Sequence, residues 1–314
     1  MSALVRVFFV MLDLAVLIAP IFLIILLGRV LRISLIQDDH IWFKVNSLSY
    51  WVLFPSLLFN KTSVIDLGAF SFEYFSYAII GGFVAAFGFS FFIGKVLKIK
   101  ATSLTSILQG SGRHNSFVAL AIASQYLGEI GELIGTIAVA LLVTFSNLVT
   151  VIMMTYMLKS NESSKLLLLK EISRNPFIVA ILLGLLFNMM GLGGLPIIHE
   201  LTGSLGGAAL TLALICVGAG LRFGQLGGHS IDAVLTTIAK LVIFPLTVYW
   251  LAVYFNLSNE MKVVAVIFAT APTSSAGYAL AKQMGGDAPL MATIISLQTL
   301  LSVMAIPIAI LLVS

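Results

Sequence analysis

Gly110-Ser-Gly-Arg-His-Asn-Ser116 and Thr270-Ala-Pro-Thr-Ser-Ser-Ala-Gly277 are two short polar stretches set inside long apolar runs, at matching places in the two halves of the chain. Hydrocarbon offers backbone N–H and C=O groups no partners, so non-helical chain at membrane depth persists only inside protein or beside a watery cavity. Gly110 and Gly112 allow the first stretch to leave the helix at little steric cost. Pro272 withholds a donor from the second and disfavours helix at the residue before it. A matched pair of interrupted membrane helices points to the substrate site of a transporter.

The surrounding composition supplies the membrane. Hydrophobic residues make up 60% of the 314 and charged residues 10%, with a mean hydropathy of +1.11. Soluble domains run at roughly 45–50% apolar and about 25% charged, so a water-soluble fold is excluded. Apolar runs long enough to span a bilayer, about 20 residues each, recur from end to end. There are ten of them, at residues 10–32, 42–60, 71–97, 102–126, 131–158, 174–192, 202–222, 231–255, 261–283 and 288–313. The expectation is an all-α membrane protein of ten transmembrane helices with no stretch left for a soluble domain. Arg6 followed by apolar residues superficially resembles a signal peptide. Asp13 interrupts that run, however, and residues 14–32 are long enough to span, so an uncleaved first helix is expected. Cys216 has no partner cysteine, and the four histidines show no metal-ligand spacing. No cofactor and no metal are expected. The net charge of +4 and pI near 9.2 do not imply nucleic acid, because the basic residues cluster at helix ends.

Their placement gives orientation. One side of the membrane receives Arg29, Arg32, Lys44, Lys95, Lys98, Lys100, Lys159, Lys165, Lys170, Arg174, Arg222 and Lys282, and the other only Arg6, Lys61 and Lys262. Positive loops stay cytoplasmic, which predicts a plasma (inner) membrane protein with both termini outside. The linker 159–173 then divides residues 1–158 from 174–314, five helices each. Pro20-Ile-Phe-Leu-Ile-Ile-Leu-Leu-Gly28 matches Pro176-Phe-Ile-Val-Ala-Ile-Leu-Leu-Gly184, and Ala123-Ser-Gln125 with Gly128-Glu129 matches Ala281-Lys-Gln283 with Gly286-Asp287, at nearly equal shifts. An odd number of helices per half inverts the second half across the bilayer, as in inverted-repeat transporters.

Arg113 is the most costly residue in the chain if it lies at mid-bilayer, about 2.5–3.5 kcal/mol on insertion scales. Its planar fork suits a carboxylate, and Asn115 offers an amide donor and acceptor. One reading has Arg113 and Asn115, with His114 and Ser116 beside them, meeting an anionic substrate. The other has Arg113 reaching the surface or pairing with Glu129. In the second stretch Pro272, Thr273, Ser274 and Ser275 either line the same site, with the half-helix that starts near Ser275 turning its positive end towards an anion, or form an ordinary proline kink. Asn46, Asn147 and Gln298 are further intramembrane amides that need partners. Lys240 either extends its stem to the interface or pairs with Asp232. Asn175-Pro176 reads as a helix start. Gly and Ala residues of helix seven, among them Gly206, Gly207, Gly218 and Gly220, permit close helix contact.

With these residues the chain resembles the auxin efflux carrier family, which includes bacterial malonate-type permeases and the plant PIN-FORMED carriers. The resemblance covers nearly the whole chain. It is carried by Pro20-Ile-Phe…Leu-Leu-Gly28, Leu48-Ser-Tyr-Trp-Val-Leu-Phe-Pro-Ser-Leu-Leu-Phe59, Gly112-Arg-His-Asn115, Asn175-Pro176, Gly218-Ala-Gly-Leu221, Lys240…Pro245 and Ala271-Pro272…Ala279-Leu-Ala281. It implies two inverted five-helix repeats with crossed, broken helices four and nine. It also implies a scaffold of helices one, two, six and seven, a moving domain of helices three to five and eight to ten, elevator-type transport, and a homodimer through helices two and seven. The substrate-holding role of the crossover amide falls on Asn115 and extends to Thr273 and Ser274. Relatives commonly carry a proline soon after that asparagine; here the chain reads Phe117-Val-Ala-Leu-Ala-Ile.

The expected function is secondary transport of a small organic anion, such as a carboxylate or an auxin-like acid. A ligand-binding membrane sensor is the alternative, although no output domain is apparent. An intramembrane enzyme built on Ser111 and His114 lacks an orienting acid. Asp13, Asp66, Glu73, Glu129, Glu132 and Asp287 sit near predicted helix ends and do not reveal a coupling ion.

Overall fold

The computed structural model describes residues 3–66, 72–158, 175–222 and 230–313, and among them every regular element is helical. The linker 159–173, with Lys159, Lys165 and Lys170, and Arg174 beside it, lies outside the described residues. Six continuous helical stretches are long and apolar enough to cross a bilayer. Their outer faces carry exposed large apolar side chains such as Leu23, Leu26, Phe92, Trp250 and Leu312, the surface a lipid-facing protein presents.

The first helix, α1, runs Ala3–Ser34, several residues longer at its start than the apolar run, and Asp13 lies within it. Helices α2 (Asp39–Leu48) and α3 (Phe54–Thr62) are joined by a π-helical turn, Ser49–Leu53. The cause is Pro55: it has no N–H, and its ring clashes with the carbonyl four residues back. The turn widens, so that the Phe54 N–H bonds the carbonyl of Ser49. Helix α4 (Phe72–Val96) is followed by α5 (Ala101–Gly112) and α6 (Ser116–Leu158). Helix α6 is two arms around Gly128, whose φ of 61° and ψ of −139° only glycine adopts readily. Helix α7 (Pro176–Met189) opens as its sequence indicates, with the Asn175 side chain accepting from the Phe177 N–H at 2.9 Å and Pro176 in the first turn. Then come α8 (Pro196–Ala219), α9 (Ser230–Ile238), a second π turn over Ala239–Ile243 set by Pro245, α10 (Phe244–Tyr254), α11 (Asn259–Thr270), α12 (Ala276–Met284) and α13 (Ala288–Val313).

Glycines decide which helices touch. Helix α1 packs along α8 at a mutual backbone approach. A Cβ on Gly28 would meet the Ile215 carbonyl, and one on Gly218 would meet the Ile25 carbonyl. Helix α3 packs on both α7 and α8, where Gly184 receives Thr62 and Gly206 lies against the Leu57 backbone. Much of the small-residue face of α8 is therefore occupied within the chain. On the other side of the molecule α4 packs on α10, and α11 is enclosed by α6, α10 and α13. The core there is built on the fully buried Phe83, Leu120, Phe244 and Phe268. Within the Phe-rich helix α4, Phe83 stacks on Phe87 at 5.6 Å between ring centroids while Phe91 and Phe92 are exposed.

Two expectations are corrected. Lys240 neither reaches the interface nor meets Asp232. Its side chain is fully buried, and its amine makes no hydrogen bond among the described residues, lying 4.4 Å from the Phe244 ring centroid. The π turn is the reason, since its extra residue turns Lys240 inward. Gly110 and Gly112 remain helical; their part is steric, because Cβ atoms there would meet Ile294 and Phe83 respectively.

Gly218→Val should test the α1–α8 contact. Overpacking against backbone costs about 1–3 kcal/mol, read as a lower thermal denaturation temperature in detergent, whereas Gly207→Val, facing open space, should change it little.

Candidate functional site

Helix α5 stops at Gly112 because Arg113 turns extended (φ −70°, ψ 157°), and helix resumes at Ser116. Asn115 caps the new helix. Its Oδ1 accepts from the N–H groups of Phe117 at 3.1 Å and Val118 at 3.2 Å, the role that Asn performs well at a helix start. Helix α11 likewise stops at Thr270, with Ala271 at ψ 139°, and α12 begins at Ala276. The two breaks touch. The Asn115 N–H donates to the Pro272 carbonyl at 2.7 Å. Gln298 of α13 then ties both breaks together, its Oε1 accepting from the Thr273 N–H at 2.9 Å and its Nε2 donating to the Gly110 carbonyl at 3.0 Å. The Thr273 hydroxyl donates to the Gln109 carbonyl at 3.3 Å. Backbone groups released from one broken helix thus find partners in the other or in Gln298, as a dry interior demands.

Arg113 lies at this contact and is 8% exposed. Its guanidinium donates to Asn147 Oδ1 at 2.8 Å and to Gln109 Oε1 at 3.4 Å, both neutral amides. Glu129, the acidic partner considered from sequence, is exposed. His114 Nε2 and the Ser116 hydroxyl are 3.0 Å apart, while His114 Nδ1 has no hydrogen-bond partner among the described residues. Ser111 bonds the Leu108 carbonyl and does not meet His114. Arg113 and Lys240 are the buried charged residues of the described chain; every described carboxylate is at least partly exposed. No group of three metal-ligating side chains occurs among the described residues.

A cavity of about 90 Å³ opens against the breaks. Of the residues singled out in the sequence, Asn46, Arg113, His114, Asn115, Ser116, Asn147, Ser274 and Ser275 line it. Pro272, Thr273 and Gln298 do not; they hold the backbone that shapes it. Tyr50, Ser146 and Phe177 also stand in the wall, and Gln109 braces Arg113 from behind. Sequence reading missed these four. A glutamine one turn before the first break was the available signal for Gln109, whereas the others are brought in by packing alone. Asn46, Ser275 and Ala276 also line a second chamber of about 1040 Å³.

The two ends of the molecule differ. Asp39, at the start of α2, pairs with Arg32 at 2.6 Å beside the large chamber. Lys61 lies 22 residues further on, near the end of α3, roughly 30 Å away at 1.5 Å per residue. There it pairs with Glu132 of α6 at 3.3 Å. Between these levels Phe117 packs edge-on against Phe54, 4.7 Å between centroids.

Residues 159–310 match the family described as membrane transport protein. An uncharacterized transporter from Methanothermobacter thermautotrophicus is 31% identical over 132 residues, which is 42% of this chain and 43% of that protein. The second half of the chain is thus similar to membrane transport proteins, in keeping with the resemblance to auxin efflux carriers. Together with the six apolar helical stretches, this similarity supports a multi-pass membrane protein. The match spans less than half the length of the curated relative.

Gln298→Leu should cost the protein about 2–6 kcal/mol, since it leaves two buried backbone groups unsatisfied at roughly 1–3 kcal/mol each. The measurement is a denaturation midpoint. Asn115→Ala should cost about 1 kcal/mol through the lost cap.

Proposed function

We propose that the protein moves a small organic anion by secondary transport, with the cavity at the helix breaks as its binding site and Arg113 and Asn115 as contacts for a carboxylate. One observation carries this reading: an arginine, charged at any accessible pH, stands in the wall of a cavity where two broken helices meet. The site's sign follows from the burial pattern, since the described interior holds basic side chains and no carboxylate. Size follows from the volume. At about 10–15 Å³ per water-sized group, 90 Å³ admits on the order of half a dozen heavy atoms, a short aliphatic acid or the head of a longer one whose body extends into the large chamber.

Motion follows an elevator, with α1 to α3, α7 and α8 as scaffold and the remaining helices moving. The tight glycine contacts of α1 with α8 and of α3 with α7 and α8 support a rigid scaffold. The crossover, braced by Gln298, is suited to travel as a unit. A homodimer through helices two and seven and both termini outside complete the proposal. In that orientation the large chamber opens to the cytoplasm, and the Lys61–Glu132 pair, which joins the two groups of helices, closes the outer side.

Arg113→Gln should abolish uptake of labelled malonate into reconstituted vesicles while the protein remains folded in the membrane. Undiminished uptake would remove Arg113 from the site, and malonate binding without flux in the unaltered protein would favour a sensor. If the outer pair closes the carrier, Lys61→Glu should change transport rate severalfold, and the exchange Lys61→Glu with Glu132→Lys should restore it.

A further inference from the structure

The large chamber contains more than an opening requires. Its described wall carries four basic side chains, Arg29, Arg32, Arg222 and Lys282, against one acidic, Asp39, which Arg32 already holds. Basic residues at a cytoplasmic membrane boundary ordinarily extend into water from loops. These stand around a concave space with the apolar Ile33, Trp42, Phe43 and Ile295 also in its wall. Low-dielectric walls focus the field of like charges into such a cleft and raise the local concentration of counter-ions.

Two of the cations are positioned by the fold. The main chain of Arg222 is bonded in both directions by Ser296 of α13, its N–H donating to the hydroxyl at 2.9 Å and its carbonyl accepting from it at 3.2 Å. Its guanidinium carbon lies 4.9 Å from the centroid of the Tyr278 ring on α12. One Arg222 N–H donates to the Tyr278 hydroxyl at 3.5 Å, and the other N–H groups of the fork can meet a planar anion. Lys282 lies four residues after Tyr278, on the same face of α12, and lines the same chamber. Asn46, Ser275 and Ala276 belong to both cavities, so the chamber leads directly to the crossover.

We propose that this chamber is a second anion site, an antechamber in which Arg222 and Lys282 collect carboxylates before they reach Arg113. The proposal rests on the carrier reading above and specifies where its cargo is first held.

The tryptophans provide a test. Trp42 lines the chamber, whereas Trp51 and Trp250 are exposed on outer faces, so Trp51→Phe with Trp250→Phe leaves one reporter. At low ionic strength iodide should quench Trp42 several times more efficiently than caesium, with acrylamide measuring neutral access, and malonate should suppress the iodide effect. Arg222→Gln with Lys282→Gln should lower the iodide constant about threefold, the loss of roughly one kT of potential, and leave acrylamide unchanged. Lys282→Gln alone, an exposed side chain, should give part of that loss. Arg113→Gln should preserve iodide quenching even as flux is lost. Equal quenching by iodide and caesium, no access for acrylamide, iodide constants unmoved by both chamber variants, or loss of the iodide effect in Arg113→Gln would each overturn the antechamber. The flux result for Arg113→Gln judges the crossover separately.

Discussion

The hydrogen bond from the Asn115 N–H to the Pro272 carbonyl, 2.7 Å long, is the contact on which the rest of the interior depends. A broken helix at membrane depth leaves donors and acceptors that lipid cannot satisfy. Here each break supplies what the other lacks. Gln298 completes the exchange with one amide that accepts from Thr273 and donates to Gly110. Neither break is stable alone in such surroundings, so the two halves of the chain are joined where they are least regular.

This arrangement explains how a proline can be missing from the first break. Relatives that resemble this chain place a proline after the asparagine, while here Phe117 follows Ser116. The helix still ends, because Arg113 leaves it extended and the Asn115 side chain caps its successor. Capping and the cross-break bond replace the missing steric block. The cost of holding Arg113 nearby is offset in part by the amides of Asn147 and Gln109, which orient its guanidinium at the cavity wall.

The two ends of the molecule are unlike. A wide basic chamber stands at one side, and an ion pair between Lys61 and Glu132 lies at the other. Phe54 and Phe117 pack edge-on against each other.

Much of this was legible in the order of residues. Composition and run length alone impose helices, because only internally bonded backbone survives in hydrocarbon. The polar stretches at 110–116 and 270–277 marked the breaks, and the pairing of Asn175 with Pro176 marked a helix start, since such signals are local and steric. What tertiary structure decided is who meets whom. Gln109 was passed over, and Tyr50, Ser146 and Phe177 enter the cavity wall only through packing between distant helices. Lys240, read either as reaching the interface or as pairing with Asp232, lies fully buried in the π turn before Pro245. Pro272, Thr273 and Gln298, for which the sequence left a substrate contact or a structural role open, hold backbone groups across the breaks, because a buried N–H or C=O takes the nearest partner, and which partner is nearest depends on how the whole chain is folded.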